Sequence, residues 1–370
     1  MAGKHTPLHD VHVAAGASFT DFAGFDMPVR YTSDLEEHHA VRKAAGIFDL
    51  SHMAEINVEG PDAAAFLDYA LSNRLSSIDM LQAKYSLLLG ASGGVLDDLI
   101  VYRLSGDRFL IVANASNREV AFRELSQRSA NFEVRVVDDT DAWALIAVQG
   151  PLSRDIMLGS SISLDSPMDQ LRYYRFITGE FHGEPILIAR TGYTGEDGYE
   201  VFVPSAIASA VWADLERAGS PHGLIRCGLA CRDTLRLEAG MPLYGHELGI
   251  DYSPAQAGLA RVVDNTKDDF VGAFAASAAD EASTRVLVGL VAEGKRAPRA
   301  GYHVVDASRN VVGEVTSGAL SPTLGYPIAM AYVDQGLSAL GTELFVDVRG
   351  SLLSVSVHEI PFYSRKKAAV

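Results

Sequence analysis

Two stretches of the chain share one hydrophobic rhythm. Residues 56–61, INVEGP, alternate as a β-strand that ends at Gly-Pro, and the helix-like DAAAFLDYALS follows. Residues 145–151, LIAVQGP, repeat the pattern and lead into LSRDIML. Each copy continues as strand, Gly-containing turn and strand: KYSLLLG, ASGG and VLDDLIVYRL in the first, YYRFITG, EFHG and EPILIAR in the second. Each closes with a strand and a helix, RFLIVANASNREVAFREL and GYEVFVPSAIASAVWADLERAG. The order β-α-β-β-α-β is that of a ferredoxin-like unit, provided another strand completes each copy. FEVRVV, residues 132–137, can supply that strand for the first. The pattern therefore predicts two related α/β modules.

Helix ends follow the same reading. Ser33 and Glu36 have capping-box spacing ahead of EEHHAVRKAAG, and Gly46 is expected to end that helix. Gly219 and Gly240 are expected stops for two others. From Arg285 onward the texture changes to short strands and turns: RVLVGLVAEG, YHVVD, NVVGEVTSG, PIAMAYV, TELFVDVRG and LLSVSVHEI. This predicts a compact all-β module, barrel or sandwich, joined through a helical connection over residues 263–283.

Composition narrows the function classes. A chain of 370 residues, 48% hydrophobic and 21% charged, has room for two or three globular domains. MAGKHTPLHDVH lacks the apolar stretch of a signal peptide, and no apolar run reaches the ~18 residues of a membrane span. A cytoplasmic protein without membrane contact is expected. A formal net charge of −16 opposes binding to phosphate backbones, so no nucleic-acid partner is expected; the basic SRKKAAV tail is local. Cys227 and Cys231 are the only cysteines, four apart in CGLACRD on one face of an expected helix. Two thiols are too few for structural zinc, and a reduced, semi-buried pair is expected. No metal is expected elsewhere, because adjacent His38 and His39 point different ways on a helix and the sequence offers no coherent ligand set.

One stretch conflicts with its own pattern. In ASGGVLDDLIVYRL, residues 91–104, two acids interrupt an apolar strand. Side chains alternate, so Asp97 shares a face with Val95, Leu99 and Val101, and Asp98 with Leu96, Ile100 and Tyr102. Whichever face is buried carries a carboxylate with it, and a buried carboxylate needs a partner or a task.

Six stretches in order carry a resemblance: FAGFDMPVRY (22–31), FDLSHM (48–53), GGVLDDLIVY (93–102), RTGYTGEDGYE (190–200), CRDTLRLEAGMPLYG (231–245) and SGALSPTLG (317–325). Together they closely resemble the T-protein family of the glycine cleavage system, the tetrahydrofolate-dependent aminomethyltransferases, from TPLHD near the start to HEIPFYSR near the end. Two departures, Phe25 where the family often has Trp and LACRD where it has GARD, touch local packing. The resemblance implies an α+β, three-domain cloverleaf: two ferredoxin-like α/β modules and a C-terminal β-barrel around a central folate-binding channel. Residues 1–52 and 140–262 would form the discontinuous first domain, 53–139 the inserted second, 263–283 the connection and 284–370 the barrel.

The resemblance also implies roles. Asp98 would be the catalytic carboxylate, facing a pocket beside Ile100 and Tyr102. A fixed carboxylate stabilises a cationic, iminium-like carbon best where water is excluded. Full proton abstraction is not assigned to it, since an ordinary Asp pKa of ~3.9 makes a weak base at neutral pH. Glu200 would accept paired hydrogen bonds from the guanidine-like edge of the pterin. Arg232 would be a second folate contact, and Tyr193, Tyr102, Tyr85 and Met53 would line the channel. Asn114 is a further pocket candidate, and Arg365 a contact for the glutamate tail. The blander alternatives are an exposed strand acid at Glu200 and a surface ion pair of Arg232 with Asp233 or Glu238, a reading Arg236 fits better. The implied reaction converts aminomethyl-dihydrolipoyl H-protein and tetrahydrofolate to methylene-tetrahydrofolate, ammonia and dihydrolipoyl H-protein. Folate is a cosubstrate, and the lipoylated H-protein the partner. The rivals are another folate-dependent demethylase on the same scaffold, or a folate-binding iron–sulfur assembly or repair factor.

Overall fold

The computed structural model describes residues 3–267 and 269–365, and in it the two Gly-Pro corners of the repeat are built alike. Gly60 and Gly150 have φ of 143° and 134°, a region that only glycine enters without strain. The Gly60 amide donates to the Asp107 carbonyl (2.9 Å), and the Gly150 amide to that of Asp197 (2.7 Å). The carbonyl of each glycine accepts from the residue three positions on, Ala63 or Ser153, which opens the following helix. A Cβ at either position would meet backbone, 2.3 Å from the Glu133 oxygen or 2.5 Å from that of Ala44.

The first copy forms a five-stranded sheet in the order Ala83–Leu89, Val95–Arg103, Arg108–Ala113, Ala54–Glu59, Arg135–Asp138. The last four strands have the ferredoxin-like order, with Ala83–Leu89 added at one edge. Part of FEVRVV completes the copy as expected, pairing antiparallel through Ile56↔Asp138 and Glu59↔Arg135. Helices Ala63–Ala70 and Arg118–Arg128 bury Phe66, Leu67, Ala121 and Leu125.

The second copy forms a seven-stranded sheet: Ser163–Leu164, Phe176–Phe181, Glu184–Ala189, Gly198–Pro204, Trp143–Gln149, Ala45–Asp49, Leu224–Arg226. The strand that completes it comes from far upstream. Ala45–Asp49, buried at every position, lies antiparallel to Trp143–Gln149 with Ile47 opposite Val148. Helix Ala208–Gly219 covers this sheet with Val211, Trp212 and Leu215.

Helix Asp34–Lys43 starts as expected, with the Glu36 amide donating to Ser33 Oγ at 3.2 Å. It does not end at Gly46, which lies inside the strand; the helix stops at Ala44 because the chain must turn at once into that buried strand. Gly219 is the last residue of its helix, and the left-handed turn comes later, at Gly223. Gly240, with φ 64°, follows helix Leu229–Glu238 as expected. Cys227 precedes that helix rather than lying on it; both cysteines are reduced and buried.

Contacts divide the chain into two compact units, residues 1–88 with 98–232, and 89–97 with 233–370. The second contains a closed six-stranded barrel: Arg285–Ala292, Pro327–Asp334, Val311–Leu320, His303–Val305, Glu343–Val348, Ser351–His358. Its core is valine-rich, with Val304, Val315, Val333, Val346 and Val355 among its buried residues, as period-two alternation requires. Two of the sequence motifs meet here. Arg236 donates to Glu247 (2.9 Å) and Ser317 (2.8 Å), and Glu247 accepts from Thr316 (2.6 Å). Glu238 accepts from Ser321 and from the Thr323 hydroxyl and amide. CRDTLRLEAGMPLYG and SGALSPTLG are thus stitched together by hydrogen bonds to the buried charges of Arg236 and Glu238, and Arg236 is a core residue rather than a surface one. Among the described residues no helix is long and apolar enough to cross a membrane.

Candidate functional site

The conflict at Asp97 and Asp98 resolves on the strand itself. Val95, Asp97, Leu99 and Val101 face the core, and Asp97 is 0% exposed. Asp98, on the opposite face, is half-buried beside half-buried Ile100. Its two neighbours in the sheet supply its partners. Tyr85, on strand Ala83–Leu89, donates its phenol to Oδ2 at 2.9 Å. Asn114, just past strand Arg108–Ala113, donates Nδ2 to Oδ1 at 2.9 Å and to the Asp98 carbonyl at 3.0 Å. Loss of water raises the Asp98 carboxyl above its ordinary pKa, opposed by the bonds from Tyr85 and Asn114. Burial and the facing carboxylate push the Tyr85 phenol well up, so it stays a donor.

A second group forms on the adjoining sheet of the same unit. Glu200, on strand Gly198–Pro204, is 8% exposed, so the exposed-strand reading fails. Thr191 donates its hydroxyl to Glu200 Oε2, and the Tyr102 hydroxyl lies 3.3 Å from Thr191 Oγ1. Tyr102 is fully buried, edge-on to Phe176 and Phe202, and so joins the two sheets. Burial raises the Glu200 carboxyl, offset by Thr191 and by the charge of Arg232. Arg232, in helix Leu229–Glu238, holds its guanidinium 5.0 Å from the Tyr193 ring centroid, a cation–π contact. Burial lowers its pKa, and Glu200 works against that. The surface ion pair does not form as the blander reading has it: Asp233 pairs with Arg236 at 2.8 Å.

The turn RTGYTGEDGYE shows why the glycines are there. Only Gly195 has a positive φ (76°). Gly192 and Gly198 instead leave room for the Gln149 side chain, whose atoms lie 2.1 and 2.3 Å from where their Cβ atoms would be. Gln149 then donates to the Thr191 carbonyl (3.1 Å) and accepts from the Thr194 hydroxyl (3.0 Å). A two-bond Arg190–Asp197 pair closes the loop (2.8 and 2.7 Å).

The two groups belong together electrostatically. Tyr193 acts on the Tyr85 phenol, and the Tyr174 phenol, raised first by burial, is raised further by Glu200 and Asp98. Asp98, Tyr85, Asn114, Tyr102, Glu200, Arg232 and Tyr193 therefore form one connected set. Met53 is half-buried in the turn after Leu50, next along the chain to His52. Arg365 is exposed in the second compact unit. Sequence reasoning missed Thr191, Tyr174 and His52. Thr191 stood inside a quoted motif, and a hydroxyl nine residues before a buried acid was the available signal. His52 is 2% exposed, its Nδ1 has no hydrogen-bond partner among the described residues, and burial holds its pKa down at about 4, helped by Arg232 and opposed by Asp49.

The chain matches two family models end to end, "GCVT N-terminal domain" over residues 8–267 and "Glycine cleavage T-protein C-terminal barrel domain" over residues 285–364. It is 56% identical to an aminomethyltransferase of Cutibacterium acnes, covering 98% of this chain and 99% of that protein. It is 55% identical to an aminomethyltransferase of Streptomyces avermitilis, covering 99% of both. Among solved structures it resembles the glycine cleavage system aminomethyltransferase T of Bartonella henselae, with 38% identity, a TM-score of 0.90 and coverage of 97% and 98%. By sequence, by fold and by full-length coverage, the chain belongs to the glycine cleavage T-protein family, the aminomethyltransferases.

Proposed function

We propose that the chain transfers the one-carbon unit of an aminomethyl group, carried on the dihydrolipoyl sulfur of an H-protein, to tetrahydrofolate. The products are methylene-tetrahydrofolate, ammonia and the free dihydrolipoyl carrier. The two hydrogens that folate gives up from its reacting nitrogens appear on the released thiol and on ammonia, so no external oxidant or reductant enters. Bound folate would supply the pair of nitrogens that accept the carbon.

The observation that carries this reading is the Asp98 carboxylate, half-buried and fixed by Tyr85 and Asn114. As the carbon leaves sulfur or nitrogen it takes on positive charge, and a negative group already oriented toward it needs no reorganisation. Two hydrogen bonds hold the carboxylate at one angle, which favours attack over diffusion of the substrate. Glu200 offers acceptor oxygens to planar N–H donors, with Thr191 fixing one of them. Arg232, stacked on Tyr193, offers the complementary donors for an oxo or carboxylate group, and Tyr102 and Tyr85 give flat surface for fused rings. Met53 and Ile100 add apolar lining, and Arg365 is assigned to the glutamate tail. The reaction as written involves no metal. A cytoplasmic location belongs to the same proposal.

The test is formation of methylene-tetrahydrofolate from aminomethyl-loaded H-protein, with wild type and Asp98→Asn side by side. Transfer by wild type, lost in the variant while folate still binds, supports the proposal. Turnover of free methylamine or a sulfonium without H-protein would assign the chain to demethylation. Folate binding with no transfer by wild type would assign it to a binding role.

A further inference from the structure

The N-terminal segment assembles a set of ligand atoms that no part of the transfer chemistry uses. Residues 3–5 run beside strand Phe25–Arg30: the Lys4 amide donates to the Gly24 carbonyl (2.8 Å), and the Asp26 amide to the Lys4 carbonyl (2.9 Å). The chain then turns, with the His9 amide donating to the Thr6 carbonyl (3.1 Å), and helix His9–Ala14 begins. His5 and His9 consequently stack, ring centroids 3.6 Å apart and planes 6° from parallel, next to Asp26. One ligand atom from each of the three lies within 4.8 Å of the other two.

We propose that His5, His9 and Asp26 bind a divalent transition-metal cation of the zinc class. Two imidazoles and one carboxylate suit Zn²⁺, Co²⁺ or Ni²⁺ and not Ca²⁺ or Mg²⁺, which take oxygen ligands. None of the three side chains makes a hydrogen bond or ion pair with a described residue, and His9 Nδ1 is buried without a partner. A polar atom so placed loses solvation for nothing unless a ligand returns it. The neighbouring cation does not compete, because Lys4 Nζ sits over the Phe25 ring, 5.6 Å from its centroid. Bonds of ~2.0–2.1 Å place tetrahedral ligands about 3.3 Å apart, so the site must tighten by roughly 1.5 Å at most. His5, which is exposed, can supply that by side-chain rotation as the two rings splay. The bound ion would clip the N-terminal segment to the hairpin formed by Ser18–Phe22 and Phe25–Arg30. Sequence reading missed the set because Asp26 lies far along the chain from the two histidines. The inference does not depend on the proposed reaction, since the two share no residue.

The test is calorimetric titration of the metal-free full-length protein with Zn²⁺, with the Co²⁺ absorption spectrum as a second reading. Wild type is expected to take up one equivalent and to gain thermal stability. His5→Ala and Asp26→Asn should each weaken binding at least about tenfold. His303→Ala, at an exposed histidine of the barrel, should bind as wild type does. His5 is exposed and Asp26 only half-buried, so both variants should fold, and circular dichroism checks that. No uptake by wild type at roughly a hundredfold excess of protein over any trace chelator, or uptake unchanged in both variants, would overturn the proposal.

Discussion

In the proposed reaction Asp98 has to be ionised to steady a cation, yet burial favours its neutral form. The Tyr85 and Asn114 bonds are what resist that tendency. Asp98→Asn keeps the size and removes the charge; we expect kcat to fall by about 10²–10³, the loss typical of deleting one preorganised electrostatic partner, with folate affinity little changed. Equal loss of folate affinity would mean that the residue only shapes the cleft. Tyr85→Phe removes a bond that lowers the Asp98 pKa. The acid limb of the kcat profile should therefore move to higher pH, and an unmoved limb would show that the phenol does not act through Asp98. In the Glu200 group, Arg232→Lys keeps a charge but loses the guanidinium held over the Tyr193 ring. A rise of roughly tenfold in the KM for folate with kcat nearly intact is expected, because only uniform binding is lost. A kcat effect as large as that of Asp98→Asn would instead place Arg232 at the reacting carbon.

The elements explain both what the sequence revealed and what it hid. Alternating strands, Gly-Pro corners and the Ser33 cap are local signals, and the two α/β modules and the β-rich C-terminal segment could be read from them. The strand Ala45–Asp49 could not: it is short and wholly buried, so it lacks alternation, and its partner lies about a hundred residues away in sequence. Gly46 misled for the same reason, being read as a helix stop when tertiary pairing had already claimed it. At the site, Asp98 stood out as an acid in an apolar strand, but Thr191 gained its importance only when the turn brought it to Glu200. The corners themselves can be tested. Gly60→Ala and Gly150→Ala combine a forbidden φ with backbone overlap, so each should cost about 3 kcal/mol or more in urea unfolding. A loss below about 1 kcal/mol at either corner would show that the backbone yields there and that the repeat is not pinned at its glycines.

For the molecule as a whole, several buried groups pull the pH dependence of stability in opposite directions. A net charge of −16 at pH 7 and a pI near 5.1 mean that self-repulsion relaxes as pH falls between them. Glu55, buried with neither carboxylate oxygen hydrogen-bonded among the described residues, has its pKa raised well above the ordinary value by burial, and Asp98 and Glu200 are raised too. A raised acid stabilises the fold below its unfolded pKa and loses that as pH rises through the folded one, so these groups also favour acid. His52 works the other way. Its pKa is lowered from 6.5 to about 4, so its contribution is complete above 6.5 and disappears as pH falls toward 4. Two and a half pH units at ~1.36 kcal/mol each make this about 3 kcal/mol, an upper figure for a group that can find water as the fold loosens. Asp49 is lowered below its ordinary value of 3.8, and its contribution is lost only beneath this window. The wild-type curve can therefore look nearly flat, and the informative quantity is a difference. His52→Gln removes the titration and leaves the acids in place. Wild type minus variant, from urea unfolding at several pH values, should fall steadily between pH 6.5 and 4 and stay level above 7. A difference independent of pH would mean that the His52 ring reaches solvent or a proton acceptor in solution and is not held neutral beside Arg232.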